Sequence, residues 1–137
     1  MTKLKPQKVE WKQIERFLDS ADQKLAAAGK ILAIDEEVCL QQAYEAMVRS
    51  SIGFMLCHGV RVRSQTGHHI AIIGFVGKNL GKKHAGLVAI FDRMRRQRNR
   101  ALYDTTGFIS RRDAEEAMKV AREYLALIRI EVEKRKP

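Results

Sequence analysis

Apolar residues recur at steps of three and four along most of this chain, the spacing that gathers side chains on one face of an α-helix. Trp11, Ile14, Phe17, Leu18, Ala21 and Leu25 form the first such stripe and Gly29 stops it, which predicts a helix over 9–28. After the linker KILAI, Asp35 stands as an N-cap ahead of Glu36 and Glu37, whose charges suit the positive end of a helix. The helix it opens runs to Cys57 or His58 and ends at Gly59. Its apolar set, Val38, Leu40, Ala43, Tyr44, Met47, Val48, Phe54, Met55 and Leu56, is too wide for one stripe and predicts a central helix packed on more than one side. Ser50, Ser51 and Gly53 add small side chains that allow close helix approach.

The stretch GVRVRSQTG reads as a loop. In HHIAIIGFVGKNLG, Ile70, Ile73 and Val76/Gly77 fit a short third helix. The segment IAIIGFV also fits a buried strand, but its length and the lack of a partner strand favour the helix. A fourth helix spans about 82–102, with Leu87, Phe91, Met94 and Ala101/Leu102 on one face. TTGF breaks the pattern, and Ser110 with Asp113 three residues on has the form of a capping box. The fifth helix then carries Ala114, Ala117, Met118, Ala121, Tyr124, Leu125, Ile128 and Val132. Five helices with short connections predict an all-α, antiparallel bundle. A chain of 137 residues suits one domain over its whole length, with 1–8 and 134–137 as flexible ends.

Charge narrows the partners. The formal net charge of +10 favours an anion, and nucleic acid is the commonest one for a small basic protein. No apolar run approaches the roughly 20 residues of a membrane span, and MTKLKPQKVEWK lacks the apolar core of a signal peptide. Cys39 and Cys57 have no metal-ligand spacing and lie in an apolar helix, as reduced core thiols of a cytoplasmic protein do. No HExxH, CxxC pair or Gly-rich phosphate loop is present, so neither a metal nor a cofactor is expected.

The basic residues concentrate in FDRMRRQRNRALYD, residues 91–104, with five arginines in eight positions. Arg93, Arg96 and Arg100 project away from the apolar stripe, as a solvated face would. Arg98 falls on that stripe, with Arg95 and Asn99 beside it. A guanidinium is seldom held at a packed surface without partners, because its desolvation costs several kcal/mol by order of magnitude. Two readings account for it, a subunit interface or a basic cleft in which arginine binds phosphate through two hydrogen bonds. Among the histidines, His58 suits the C-terminal end of its helix as a dipole partner. His68 and His69 are adjacent, so on a helix they point about 100° apart and fit a structural role at the start of the third helix.

The segment RNRALY, residues 98–103, resembles the signature of the HEPN superfamily, an arginine followed after four to six residues by a histidine. The likeness extends to QQAYEAMVRSSIGFMLCHG, TGHHIAIIGFV and RRDAEEAMKVAREYLALI and covers about 41–130. Together with RRQRNRALYD it resembles the bacterial HEPN proteins whose signature ends in tyrosine. The resemblance implies a helical bundle, commonly a homodimer with two signature segments facing across a basic cleft, and a metal-independent endoribonuclease of toxin–antitoxin or phage-defence type. It implies RNA as ligand and a nucleotidyltransferase-type antitoxin as partner. Arg98 would contact the scissile phosphate, Asn99 would help position it or hold the cleft, and Arg93, Arg95, Arg96 and Arg100 would bind the nucleic acid. Tyr103 takes the place of the histidine.

A tyrosine with a pKa near 10 is a poor proton shuttle at neutral pH. Five helical residues also rotate by about 140°, so Arg98 and Tyr103 do not share a face of an ideal helix. Tyr103 is then either a site residue, brought to Arg98 by a loosening of the helix near Leu102 or completed by a partner subunit, or a ring packed at the helix end, with Asp104 as a cap or an arginine partner. His68, His69 and His84 are the accessory residues from which a proton carrier could come. The alternative function is a non-catalytic HEPN interaction protein that dimerises or docks a nucleotidyltransferase-type partner through the same surface.

Overall fold

Asp35 opens the helix on which the others pack. Its carboxylate accepts the amide of Val38 at 3.0 Å, which satisfies one of the four amides that a helix start leaves open. The computed structural model describes residues 4–63, 68–103 and 108–137. Along the chain these form β1 (Leu4–Pro6), α1 (Trp11–Ile31), α2 (Glu36–Cys57), β2 (Val60–Val62), α3 (His68–Leu80), a 3-10 turn (Lys82–His84), α4 (Ala85–Tyr103) and α5 (Arg111–Glu133). The protein is an all-α bundle with one minor two-stranded sheet.

Helix α2 packs against α1, α3, α4 and α5. Leu40, Tyr44, Met47, Ser51 and Met55 are buried on one face of the helix and Ala46, Gly53 and Leu56 on the opposite one, as expected for a central element. Gly53 makes the α1 contact possible. A methyl group there would come within 3.1 Å of Leu18 Cδ2 and 3.5 Å of the Ile14 carbonyl oxygen. On the other side, the Ser51 hydroxyl donates to the Met47 carbonyl at 2.7 Å and lies 2.6 Å from the hydroxyl of Tyr124 in α5. Ser110 and Asp113 form the reciprocal capping box expected from sequence.

Four expectations need correction. Gly29 was expected to stop the first helix, yet α1 continues through it to Ile31. Residues 1–8 were expected as a flexible end, yet Leu4–Pro6 pairs antiparallel with Val60–Val62, Leu4 opposite Val62, and the amide of Gln7 donates to the Gly59 carbonyl at 2.9 Å. Leu4, Val60 and Val62 pack on the core. This sheet also supplies the strand within GVRVRSQTG that was read as loop; the pairing joins segments more than fifty residues apart, which local pattern does not reveal. Gly59, at φ +75°, ends α2 and turns the chain into β2.

In α3, Ile72, Ile73, Val76 and Leu80 face the core, while Ile70 is 59% exposed rather than buried. His58 takes its expected place at the end of α2. Its Nδ1–H donates to the Phe54 carbonyl at 2.8 Å, and burial lowers its pKa, so it serves the helix end as a neutral donor instead of a cation.

Candidate nucleic-acid interface

Helix α4 ends as it leaves the core. Phe91 and Met94 are buried, Arg95 and Arg98 are half-buried, and Leu102 and Tyr103 are exposed. Rotation of about 100° per residue places Arg95 and Arg98 on the inner side with Phe91 and Met94, and Arg93, Arg96 and Arg100 on the outer side. Asn99 lies between them and accepts a hydrogen bond from Arg98 Nη1 at 3.4 Å. The outer residues Arg93, Arg96, Asn99 and Arg100 line one shallow groove.

The arginines differ in their partners. Arg95 and Arg96 share Asp92, at 2.9 and 2.8 Å. Arg93 pairs with Glu116 of α5. Among the described residues, Arg98 and Arg100 have no carboxylate partner. Asp104, the residue expected to cap or pair here, lies outside the described residues.

Arg98 instead sits with its guanidinium carbon 5.7 Å from the centroid of the Tyr44 ring, an arrangement worth about 0.5–1 kcal/mol at a partly exposed site. Tyr44 is fully buried and its ring also meets Phe91 at 5.6 Å. Its hydroxyl lies 2.8 Å from Nδ1 of His69, in the first turn of α3. Burial holds the Tyr44 phenol well above its ordinary pKa, with Arg98 and Arg95 pulling the other way. Burial also lowers the pKa of His69, and Arg98, His68 and Arg95 add to that effect, so the imidazole is neutral at neutral pH. Three elements thus bring Tyr44, His69 and Arg98 together: α2 supplies the ring, α3 the imidazole and α4 the guanidinium.

The residues singled out by sequence separate accordingly. His69 joins Arg98, with Arg95 close enough to act on it electrostatically. His68 stands beside it, ring centroids 5.7 Å apart. His84 sits at the start of α4, about 20 Å along the helix from Arg98, and does not share this site. Tyr103 is 84% exposed, so it is not the ring packed at the helix end that one reading expected. Tyr44 was read only as a core residue, because nothing in its local pattern distinguishes a buried ring from one whose hydroxyl reaches an imidazole 25 residues away.

Chemically, the cluster offers a cation held at a packed surface beside a neutral imidazole, which suits an anion with oxygens to spare. Among the described residues no three histidine, cysteine or acidic side chains gather as a metal-ligating group, and no helix is long and apolar enough to cross a membrane. No family model matches the chain, and no curated protein matches it closely enough to count as a relative.

Proposed function

We propose that this protein is a HEPN-like RNA-binding protein that grips the phosphate backbone at the end of α4 and cleaves it, as a metal-independent endoribonuclease of toxin–antitoxin or phage-defence type. One observation carries this reading. Arg98 lies half-buried against Tyr44, beside neutral His69, without a carboxylate partner among the described residues. An arginine held in that way gains a partner when a phosphate arrives, whereas Arg93, Arg95 and Arg96 already have theirs. Attack of a ribose 2′-hydroxyl on the adjacent phosphate forms the O2′–P bond and breaks the P–O5′ bond, with the hydroxyl proton lost to water and the leaving 5′-oxygen protonated from water; a preorganised guanidinium stabilises the negative charge that gathers on the phosphate oxygens.

The test is cleavage of a mixed RNA pool in EDTA, and RNA binding, by wild type and Arg98→Ala, with oligomeric state measured in parallel. Wild type cleaves, and Arg98→Ala binds about tenfold or more weakly and does not cleave. Equal RNA binding by the two proteins, or none by either, removes the reading.

A second reading rests on the apolar residues at the same end of the molecule. Leu102 is 44% exposed, Tyr103 84% and Phe108 81%, which suits a surface covered by another chain. In that reading the protein is a non-catalytic HEPN partner that dimerises or docks a nucleotidyltransferase-type protein. Tyr103→Ser then abolishes dimerisation or partner capture and leaves RNA affinity low in both proteins.

A further inference from the structure

The contact between Tyr44 and His69 decides where the imidazole carries its proton. One hydrogen can occupy the 2.8 Å line between the phenolic oxygen and Nδ1. Were it bound to Nδ1, the Tyr44 hydroxyl hydrogen would need a different acceptor inside the core. Among the described residues, Nδ1 of His69 is its hydrogen-bond partner, and Tyr44 is 0% exposed. A buried donor without an acceptor costs on the order of 1–3 kcal/mol, more than an unused lone pair on an oxygen that already donates. The phenol therefore donates to Nδ1, and the remaining imidazole proton belongs to Nε2.

The surroundings preserve this arrangement. Protonating Nδ1 would reverse the hydrogen bond and strand the Tyr44 O–H. Arg95 and Arg98 of α4 and His68 of α3 oppose a positive charge on His69; Glu45 of α2 favours one. Asp92, the nearby acid of α4, is engaged by Arg95 and Arg96.

We propose that Tyr44 is a positioning residue that holds His69 as a neutral Nε2–H donor, and that this N–H and the Arg98 guanidinium together seat one phosphodiester group. The inference rests on the RNA-binding reading above and assigns His69 a definite part in it. With Nδ1 occupied by a phenol proton, His69 is not a free base for the ribose 2′-hydroxyl. It hydrogen-bonds phosphate oxygens and stabilises the charge that grows on them.

The experiment is ¹⁵N NMR of the histidine rings in the full chain near neutral pH, followed by titration with inorganic phosphate. The expected spectrum shows His69 with Nδ1 bare and Nε2 protonated, and phosphate shifts the Nε2 signal. In Tyr44→Phe the ring becomes a mixture of both tautomers. If that variant fails to fold, the pair His69→Gln and His69→Asn decides, because the glutamine amide extends to where Nε2–H lies and the asparagine amide stops at Nδ1. With a labelled single-stranded RNA probe, His69→Asn then binds about fivefold more weakly than His69→Gln. An Nδ1–H tautomer in the wild type, a phosphate titration that leaves the His69 ring unmoved, or equal affinities of the two variants overturns the proposal. RNA that does not bind while phosphate still moves the His69 signals removes the RNA reading and leaves the phosphate seat.

Discussion

Arg98 and Arg100 are two residues apart and chemically identical, yet burial gives them different work. Arg100 is solvated on the outer face of α4, whereas Arg98 lies on Tyr44 and lowers the pKa of His69. The same reasoning yields a pH dependence. Burial depresses the pKa of both His58 and His69 below the ordinary 6.5. The unfolded chain therefore binds more protons than the folded one once pH falls below that value, and stability declines as pH drops from about 6.5 through the folded-state pKa values. Urea unfolding near pH 7 and near pH 5 shows this as a lower midpoint at the acidic end. His58→Gln flattens the decline, because one of the two titrating groups is gone; an undiminished slope in that variant refutes the assignment.

Between elements, the decisive contacts are those that hold α2 in place. The Tyr124 hydroxyl is fully buried, and the Ser51 oxygen already donates its own proton to Met47. Tyr124 must then be the donor to Ser51, which makes the pair asymmetric. Ser51→Ala leaves a buried phenol O–H without an acceptor and costs about 1–3 kcal/mol, while Tyr124→Phe leaves only an unused lone pair and costs about 0.5–1.5 kcal/mol. Chemical denaturation should place Ser51→Ala below Tyr124→Phe, and the double variant should recover part of the loss. The capping box at Ser110 and the cap at Asp35 were readable because their partners lie three residues away. The β1–β2 pair was not, since two three-residue strands carry too little alternation to signal a sheet.

Across the whole molecule, positive charge is unequally available. Arg129 is surrounded by Glu15, Asp19 and Asp22 and ties α5 to α1, while Arg98 and Arg100 at the end of α4 have no such partners among the described residues. On the proposed RNA-binding reading, affinity falls with salt, and each phosphate contact removed reduces the slope of log K against log salt by about 0.7. Arg98→Ala and Arg100→Ala each give that reduction. Arg93→Ala gives less, because Glu116 already engages its charge, and Arg129→Ala leaves the slope unchanged. Equal slopes for all four variants would mean that no particular face of the molecule meets the RNA.

Helical periodicity, caps and the glycine stop after α2 determined the five helices and their order, since each of these signals acts within a turn or two of chain. The same periodicity sets Arg98 apart as a cation among core residues, and with tyrosine at 103 any imidazole beside it has to come from another element. Which histidine meets Arg98 was decided only by tertiary packing: α3 folds across α2 so that His69 reaches Tyr44, while His84 is left at the far end of α4. The split of the arginines into paired and carboxylate-free members was decided there too. Ion pairing and desolvation depend on distances between elements, and sequence spacing fixes distances only within one.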